Sequence, residues 1–268
     1  MGANIFNAIK HALTQRLLAQ RPCVWGKLPS HGDYVRYRCS PQQAWMWQAW
    51  TDQVWHMPER HAPEQGQGIS LEIPATQIDL GTVPVAFLMP PGMLNFSPSH
   101  HVHGVMVASQ DNVGRACPLI IYQQVSSAWL ESCWRVAVGK SGAPNGQHLL
   151  YWFARIAARF QASDKSFNDL CAAVDLIWQQ HQPGWSQLWG EQDAAPDTAE
   201  LRQAVLQYGA YDSLDAAQGF SGVRHLPWKN WPLTALKKQP PSACFWQQDL
   251  HGGYLNASES LLGLWGER

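Results

Sequence analysis

Apolar residues recur with helical spacing in two segments near the start of the chain. Ile5, Ile9 and Leu13 lie on one side of a helix with polar side chains opposite, which predicts an amphipathic helix. We assign residues 1–24 to it. A second helix is predicted after Ser40, because Ser-Pro-Gln-Gln there supplies an N-cap, a proline at the first helical position and the glutamine of a capping box. Its apolar stripe, expected to pack on a sheet, comprises Trp47, Trp50, Val54 and Trp55.

Short apolar runs with strand character follow a polar loop at residues 56–68. They cover residues 69–73, 83–89 and 102–108, and a late run covers residues 242–247. The run at 102–108 continues through an Asp/Asn/Gly loop into the apolar residues 118–122, which predicts a hairpin. Hairpin connections favour an antiparallel sheet over a parallel one.

Helical patterns dominate the second half of the chain, at residues 127–138, 147–160, 167–181 and 198–208. A Gly/Pro/Asn loop at residues 139–146 separates the first two and marks the best internal boundary. Strands that cluster before helices indicate an α+β fold, a largely antiparallel sheet covered by helices. The predicted parts are the N-terminal helix at 1–24, a core at 25–138, and a mainly helical C-terminal part at 139–268 packed on that core.

Composition narrows the functional classes. The 268 residues carry a formal net charge of −1, and only 15% are charged, so no basic surface attracts nucleic acid or anionic lipid. No apolar stretch reaches the length of a membrane span. The six cysteines are scattered without a paired motif, which is typical of reduced thiols in a cytosolic protein. The 15 tryptophans suit a large core or a binding surface equally well, so the oligomeric state stays undecided.

Neither Gly-Lys pair of the chain fits a phosphate-binding loop. A Walker loop has a glycine five residues before the Gly-Lys and a hydroxyl after it. At residues 26–27 those places hold Arg21 and Leu28, and the pair at 139–140 has Trp134 in place of the glycine.

Two enzymatic alternatives stay open from residue types alone. Ser30, His31 and Asp33 are the side chains of a hydrolase triad, although neighbours in sequence point apart and no Gly-x-Ser-x-Gly elbow occurs. His101 and His103, next to His100, would share one face of a strand and could reach a metal, but no third ligand follows with a recognisable spacing.

Two motifs resemble one protein family. Gly-Lys-Leu-Pro-Ser-His-Gly-Asp-Tyr-Val at residues 26–35, the first signature turn, resembles the G-K-L-P-S-x-G-D-F signature of the TagF/ImpM family of type VI secretion-associated proteins. Ser-Gln-Asp-Asn-Val-Gly-Arg-Ala-Cys-Pro-Leu at residues 109–119, the second signature turn, is similar to the family's Ser-x-Asp-x-x-Gly-Arg-x-x-Pro-Leu element. Tyr34 replaces a usual Phe, and Cys117 replaces a larger apolar residue. The resemblance covers residues 25–138 well and the remainder in outline only.

The resemblance implies a cytoplasmic, non-enzymatic regulator that represses type VI secretion after translation by binding a forkhead-associated scaffold protein. We expect no cofactor and no metal, and the charge and hydropathy of the chain predict neither nucleic-acid binding nor membrane insertion. The resemblance also implies a sheet sandwiched by helices, similar to longin and profilin-like domains. A structural adaptor of the same apparatus is the alternative within this class.

The signature turns are interpreted as rigid turns that shape a partner-binding surface. Pro29 fixes one dihedral, Gly32 permits a tight bend, and Asp33 can accept bonds from nearby amides. Since each turn combines an acid with a base, we hypothesise that Lys27 and Arg115 pair with Asp33 and Asp111 across the end of the sheet. The candidate surface comprises Gly26, Lys27, Pro29, Ser30, Gly32, Asp33, Ser109, Asp111, Gly114 and Arg115.

Overall fold

The centre of the protein is one antiparallel sheet. The computed structural model describes residues 13–14, 17–55, 83–134, 145–183, 232–249 and 254–265, with positions 199, 203, 206 and 207. Within these residues seven strands pair in the order β2-β1-β5-β4-β3-β6-β7. The strands are β1 (Cys23–Gly26), β2 (Val35–Tyr37), β3 (Val85–Met89), β4 (His101–Val107), β5 (Leu119–Val125), β6 (Cys244–Gln248) and β7 (Tyr254–Ser258).

Helices cover both faces of the sheet, because successive side chains of each strand point to opposite faces and both sets are apolar. The helices are α1 (Pro41–Val54), α2 (Ser127–Trp134), α3 (Asn145–Gln161), α4 (Phe167–His181), α5 (Leu233–Leu236) and α6 (Leu261–Trp265). The predicted α+β fold with a helix-covered antiparallel sheet is therefore confirmed.

One face of the sheet packs against α1 and α6 through aromatic side chains. Trp47 of α1 is fully buried. Its ring lies 5.8 Å from that of Phe87 and 5.1 Å from that of Tyr122, in edge-to-face geometry. Trp50 stacks on Phe245. The apolar stripe of this helix thus packs on the sheet, as predicted.

The opposite face packs against α2, α3 and α4. Leu88, Ile121 and Trp246, each next in sequence to a residue of the first face, point here. They share one buried cluster with Trp129 of α2 and Trp152 of α3. Most of the tryptophans that the structure describes therefore serve the core, with Trp45, 68% exposed on α1, as the clear exception.

Local signals place several elements accurately. At the start of α1 the Ser40 hydroxyl accepts a bond from the Gln43 amide, and the Gln43 side chain accepts one from the Ser40 amide, so the capping box is confirmed. The hairpin prediction is confirmed by the antiparallel pairing of β4 with β5. Helix α4 has the predicted bounds.

Three strands were missed by the sequence reading. β1 and β2 are only four and three residues long, too short for a period of two to show. β7, Tyr-Leu-Asn-Ala-Ser, has a single large aliphatic side chain and lies at the sheet edge, where it pairs with β6. The C-terminal part thus supplies two strands, β6 and β7, as well as helices.

Other predictions fall largely or wholly outside the described residues. These are most of the N-terminal helix, the loop at 56–68, the strand at 69–73, the end of the helix at 127–138, most of the loop at 139–146 and most of the helix at 198–208. The helix assigned to residues 1–24 does not extend to residue 24, because Ala19 forms a bridge with Val125 and β1 begins at Cys23. The division at residue 138 stays a prediction. No helix within the described ranges is long and apolar enough to cross a membrane. The six cysteines are free thiols, and five of them are buried.

Candidate functional site

The two signature turns lie side by side at one end of the sheet. β1 runs antiparallel to β5 with Trp25 opposite Ile120, so the turn that leaves β1 meets the loop that enters β5. Two hydrogen bonds join the turns directly. The Asn112 amide donates to the His31 carbonyl at 2.9 Å, and Arg115 Nη2 donates to the Gly32 carbonyl at 2.6 Å. Residues 83 positions apart thereby form one surface.

The Asp111 carboxylate is the centre of this surface. Its side chain is fully buried. Oδ1 accepts bonds from the Arg115 amide at 2.8 Å and the Val113 amide at 3.1 Å. Oδ2 lies 3.1 Å from Lys27 Nζ and accepts a bond from Arg115 Nε at 2.7 Å. One carboxylate thus holds its own loop closed and ties it to the first signature turn.

These donors determine the charge state of Asp111. Burial alone would raise the pKa of the carboxyl. The amide and side chain of Arg115, the ammonium of Lys27 and the amide of Val113 outweigh burial and hold the pKa well below its ordinary value. Asp111 is therefore ionised at neutral pH, as its pairing with two cations requires.

Lys27 is an internal cation rather than a surface one. Its side chain is 6% exposed and its ammonium lies 5.1 Å from the centre of the Tyr34 ring. The same Tyr34 ring stacks on Trp25 at 5.3 Å. Lys27 is thus held between a carboxylate and an aromatic ring, which leaves it little access to a partner protein.

The first signature turn begins with Gly26 because the backbone conformation and the surroundings at this position admit only glycine. Its φ of +133° lies where side-chain-bearing residues are rarely found. A Cβ on this residue would lie 2.0 Å from the Pro118 carbonyl oxygen. The backbones of the two turns therefore approach each other more closely than any other residue would permit.

The hypothesis about charge pairing is half right. Lys27 and Arg115 both pair with Asp111, whereas Asp33 forms no ion pair with a described residue. Asp33 is exposed and accepts a bond from the adjacent Tyr34 amide at 2.7 Å, so it stabilises its own turn. The buried carboxylate attracts both cations because water does not compete for its oxygens there.

The Ser30 and His31 side chains meet, but with an arrangement unlike that of a nucleophile and its base. Ser30 Oγ lies 3.0 Å from His31 Nδ1 and donates its proton to the Lys165 carbonyl at 2.9 Å. Because the hydroxyl proton of Ser30 is donated to this carbonyl, His31 Nδ1 donates its own proton to Oγ. A general base would instead accept the hydroxyl proton. Ser30 therefore ties the first signature turn to the segment that precedes α4.

The histidines of β4 are structural in geometry. His103 is fully buried, bonds Gln123 Oε1 at 2.9 Å and packs edge-on against Trp129. Burial lowers its pKa to about 4, and His101 lies on the same strand face with its pKa also lowered by burial. Among the described residues no group of three metal-ligating side chains forms, here or elsewhere.

The exposed rim of the site is formed mainly by the second signature turn. Val113 is 68% exposed and the Arg115 side chain 59% exposed, while Asn112 and Gly114 beside them are also exposed. Pro29 and Ser30 are half-buried and Gly32 is exposed. Ser109 is buried, and its carbonyl accepts a bond from the Cys117 amide.

Sequence reasoning missed two residues of this rim. Val113 and Asn112 occupy variable positions of the second motif and have no distinctive chemistry. The apolar side chain of Val113 within a polar turn was the available signal, since exposed aliphatic residues at loop tips are candidates for partner contact.

The segment that contains both signature turns is similar to a known domain. Residues 23–138 match the family described as the TagF N-terminal domain, type VI secretion system-associated. This matched segment spans β1 to β5 with α1 and α2.

Other comparisons add context. Among solved structures, the chain matches the crystal structure of PA0076 from Pseudomonas aeruginosa PAO1, with 16% sequence identity and a TM-score of 0.43. That match covers 92% of this chain and 95% of the other. No curated protein matches the chain.

Proposed function

We propose that the protein is a non-enzymatic, post-translational repressor of type VI secretion assembly. It acts in the cytoplasm by binding a forkhead-associated scaffold protein of the same system. The observation that carries this proposal is the union of both TagF signature turns, through Asp111, into one rigid surface with an exposed rim.

Rigidity of this surface favours partner binding. Asp111, Arg115 and the Gly32 carbonyl fix the turns before any partner arrives, so less conformational entropy is lost on association. Val113 offers an apolar contact, and the exposed part of Arg115 offers guanidinium donors at its side. An apolar anchor with an adjacent Arg inside a polar rim is a common composition of interface hot spots.

Binding is tested by isothermal titration of the purified protein into the forkhead-associated scaffold of its own secretion system. We expect saturable heat with a micromolar or tighter dissociation constant, together with co-elution on gel filtration. Two folded proteins that give neither heat nor co-elution would remove the proposed partner.

Repression is tested separately in cells. Deletion of the gene is expected to increase type VI secretion, and excess protein is expected to suppress it, because sequestered scaffold is unavailable for assembly. Secretion that falls on deletion would instead identify a structural adaptor of the apparatus.

A further inference from the structure

A polar pocket lies at the other end of the β1–β2 pair from the signature turns. Arg21 precedes β1 and Arg38 follows β2, and since these strands are antiparallel both residues lie at that end. The pocket has a volume of about 290 Å³ and is lined by Arg21, Arg38, Asp175, Trp178, Gln179 and Gln182.

Helix α4 provides one wall of this pocket. Asp175, Trp178 and Gln179 follow the spacing i, i+3, i+4, which places them along a single helix face, and Gln182 follows as the C-cap residue. Trp178 is buried and forms an apolar base, whereas Gln179 is exposed and offers an amide that can donate and accept. The opposite wall is formed by the two arginines.

The acid and one base of the pocket neutralise each other. Asp175 accepts bonds from Arg38 Nη1 at 2.5 Å, from Arg38 Nη2 at 2.8 Å and from the Tyr37 hydroxyl at 2.7 Å. Arg38 also stacks on the Tyr37 ring at 4.3 Å. The carboxylate oxygens are thus occupied, and the Arg38–Asp175 pair adds no net charge.

Arg21 is the uncompensated charge. It is exposed, and it forms no ion pair with any residue that the structure describes. The described lining residues of the pocket therefore carry a net charge of about +1, and the Arg21 guanidinium pairs with none of their carboxylates.

The backbone at Arg38 supports a binding role for this place. Arg38 has a φ of +55°, the only positive φ of a non-glycine residue among the described residues. Such conformations are held by surrounding contacts and are concentrated at ligand clamps and active sites. Here the forked bond to Asp175 and the Tyr37 ring hold the side chain in place.

We propose that this pocket, the Arg21 pocket, binds a phosphate group, either free or on a small organic molecule, through the Arg21 guanidinium and the neighbouring glutamine amides. Its volume is just below the common range of about 300–1,000 Å³ for ligand pockets, which fits a small ligand. Guanidinium forks match the oxygens of phosphate. The end of α4 carries partial negative charge, so the affinity is expected to be modest. The site is independent of the proposed function.

Calorimetric titration of the full chain at low, constant ionic strength tests this site, with inorganic phosphate, O-phosphoserine and acetate as separate probes. We expect saturable binding of a phosphate probe with a dissociation constant of about 1 mM or tighter. Tighter binding of O-phosphoserine would identify a phosphate ester as the ligand class, and equal binding would identify free phosphate. Acetate that binds as tightly as both would overturn the phosphate assignment.

Amino-acid substitutions test whether phosphate binds in the Arg21 pocket. Arg21→Gln is expected to weaken it about ten-fold and Arg21→Lys less, while Arg159→Gln, which removes an exposed cation from α3, leaves it unchanged. Asp175→Asn is expected to tighten binding, because it releases the Arg38 charge into the pocket. No saturable heat with either phosphate probe, equal binding by wild type and Arg21→Gln, or no gain with Asp175→Asn would overturn the proposal. Melting temperatures confirm that each variant is folded.

Discussion

Asp111 and Asp175 lie at opposite ends of the β1–β2 pair. Each carboxylate joins segments of the chain at its own end, but the two differ in burial and in their partners. Asp111 is fully buried and accepts bonds from two amides and two cations of the matched segment, residues 23–138. Asp175 is 29% exposed and is held by Arg38 and Tyr37, 137 and 138 residues away in sequence. The first carboxylate builds a surface from two turns, and the second joins the end of β2 to α4.

The difference in burial determines how much each carboxylate contributes to the stability of the fold. Removing one member of a buried, hydrogen-bonded charge pair leaves its partner without compensation, which is strongly destabilising. An exposed pair competes with water and salt and contributes about 0–1 kcal/mol. The signature-turn end is therefore expected to be the more sensitive of the two.

Asp111→Ala is expected to cause the largest loss of stability among the variants considered. It leaves the Lys27 ammonium buried and unpaired and removes the acceptor of two amides. The measurement is urea unfolding followed by far-UV circular dichroism. The matched control is Asp33→Ala, an exposed carboxylate of the neighbouring turn, which is expected to change the free energy of unfolding by less than about 0.5 kcal/mol. Equal midpoints for the two variants would contradict the central position of Asp111.

Acidification is expected to remove from the wild-type protein the stabilisation that ionised Asp111 provides. Because the folded-state pKa of Asp111 is lowered, its contribution is complete above the unfolded-state pKa of about 4 and is lost as the pH falls further. The stability difference between wild type and Asp111→Asn should therefore be constant from pH 7 to about pH 5 and shrink below about pH 4. A difference that does not depend on pH down to the acid limit would show that the charge of Asp111 is irrelevant.

Gly26→Ala is expected to destabilise the protein by about 2–4 kcal/mol, because it adds backbone strain and a clash with the Pro118 carbonyl. Gly114→Ala is the matched control. Gly114 also has a positive φ, of +85°, but its added Cβ meets no atom within 4 Å, so only the strain of about 1–2 kcal/mol applies. Thermal unfolding of both variants checks the difference, and equal losses would show that the turns can separate without cost.

Asp175→Asn is expected to have the smallest effect on stability, about 1 kcal/mol or less, since its ion pair is partly exposed. The loss should also decrease in 1 M salt, where exposed pairs are screened. Urea unfolding at two salt concentrations measures it. A loss as large as that of Asp111→Ala would remove the distinction between the two carboxylates.

Much of the fold could be predicted from the sequence because the motifs that determine it involve residues close together in the chain. The capping box at Ser40 and the loop between β4 and β5 involve residues close together in sequence, and both were predicted. β2 and β7 depend on partners elsewhere in the sheet, β1 for β2 and β6 for β7, and each strand is too short for its alternation of apolar and polar residues to be distinctive. Tertiary pairing decides such short strands.

In the candidate site, the motifs indicated that Lys27 and Arg115 form ion pairs but not which partner each residue has. Arg115 pairs with Asp111 four residues away in its own turn, whereas the hypothesis had placed the ion pairs across the sheet end. The preference of Lys27 for Asp111 over Asp33 depends on which carboxylate is buried, and this follows only from the packing of one turn on the other. The Arg38–Asp175 pair joins segments with no shared motif, so no sequence pattern could have indicated it.

The most direct test of the central claim compares two apolar-to-acid substitutions by calorimetric titration into the forkhead-associated scaffold. Val113→Asp places a charge on the exposed rim of the signature turns, and Leu262→Asp places one on a similarly exposed residue of α6. We expect Val113→Asp to weaken binding at least about ten-fold, which is about 1.4 kcal/mol, and Leu262→Asp to bind like wild type. Wild-type melting temperatures would show that both are folded. Val113→Asp that binds as tightly as wild type would contradict the claim that this surface contacts the partner.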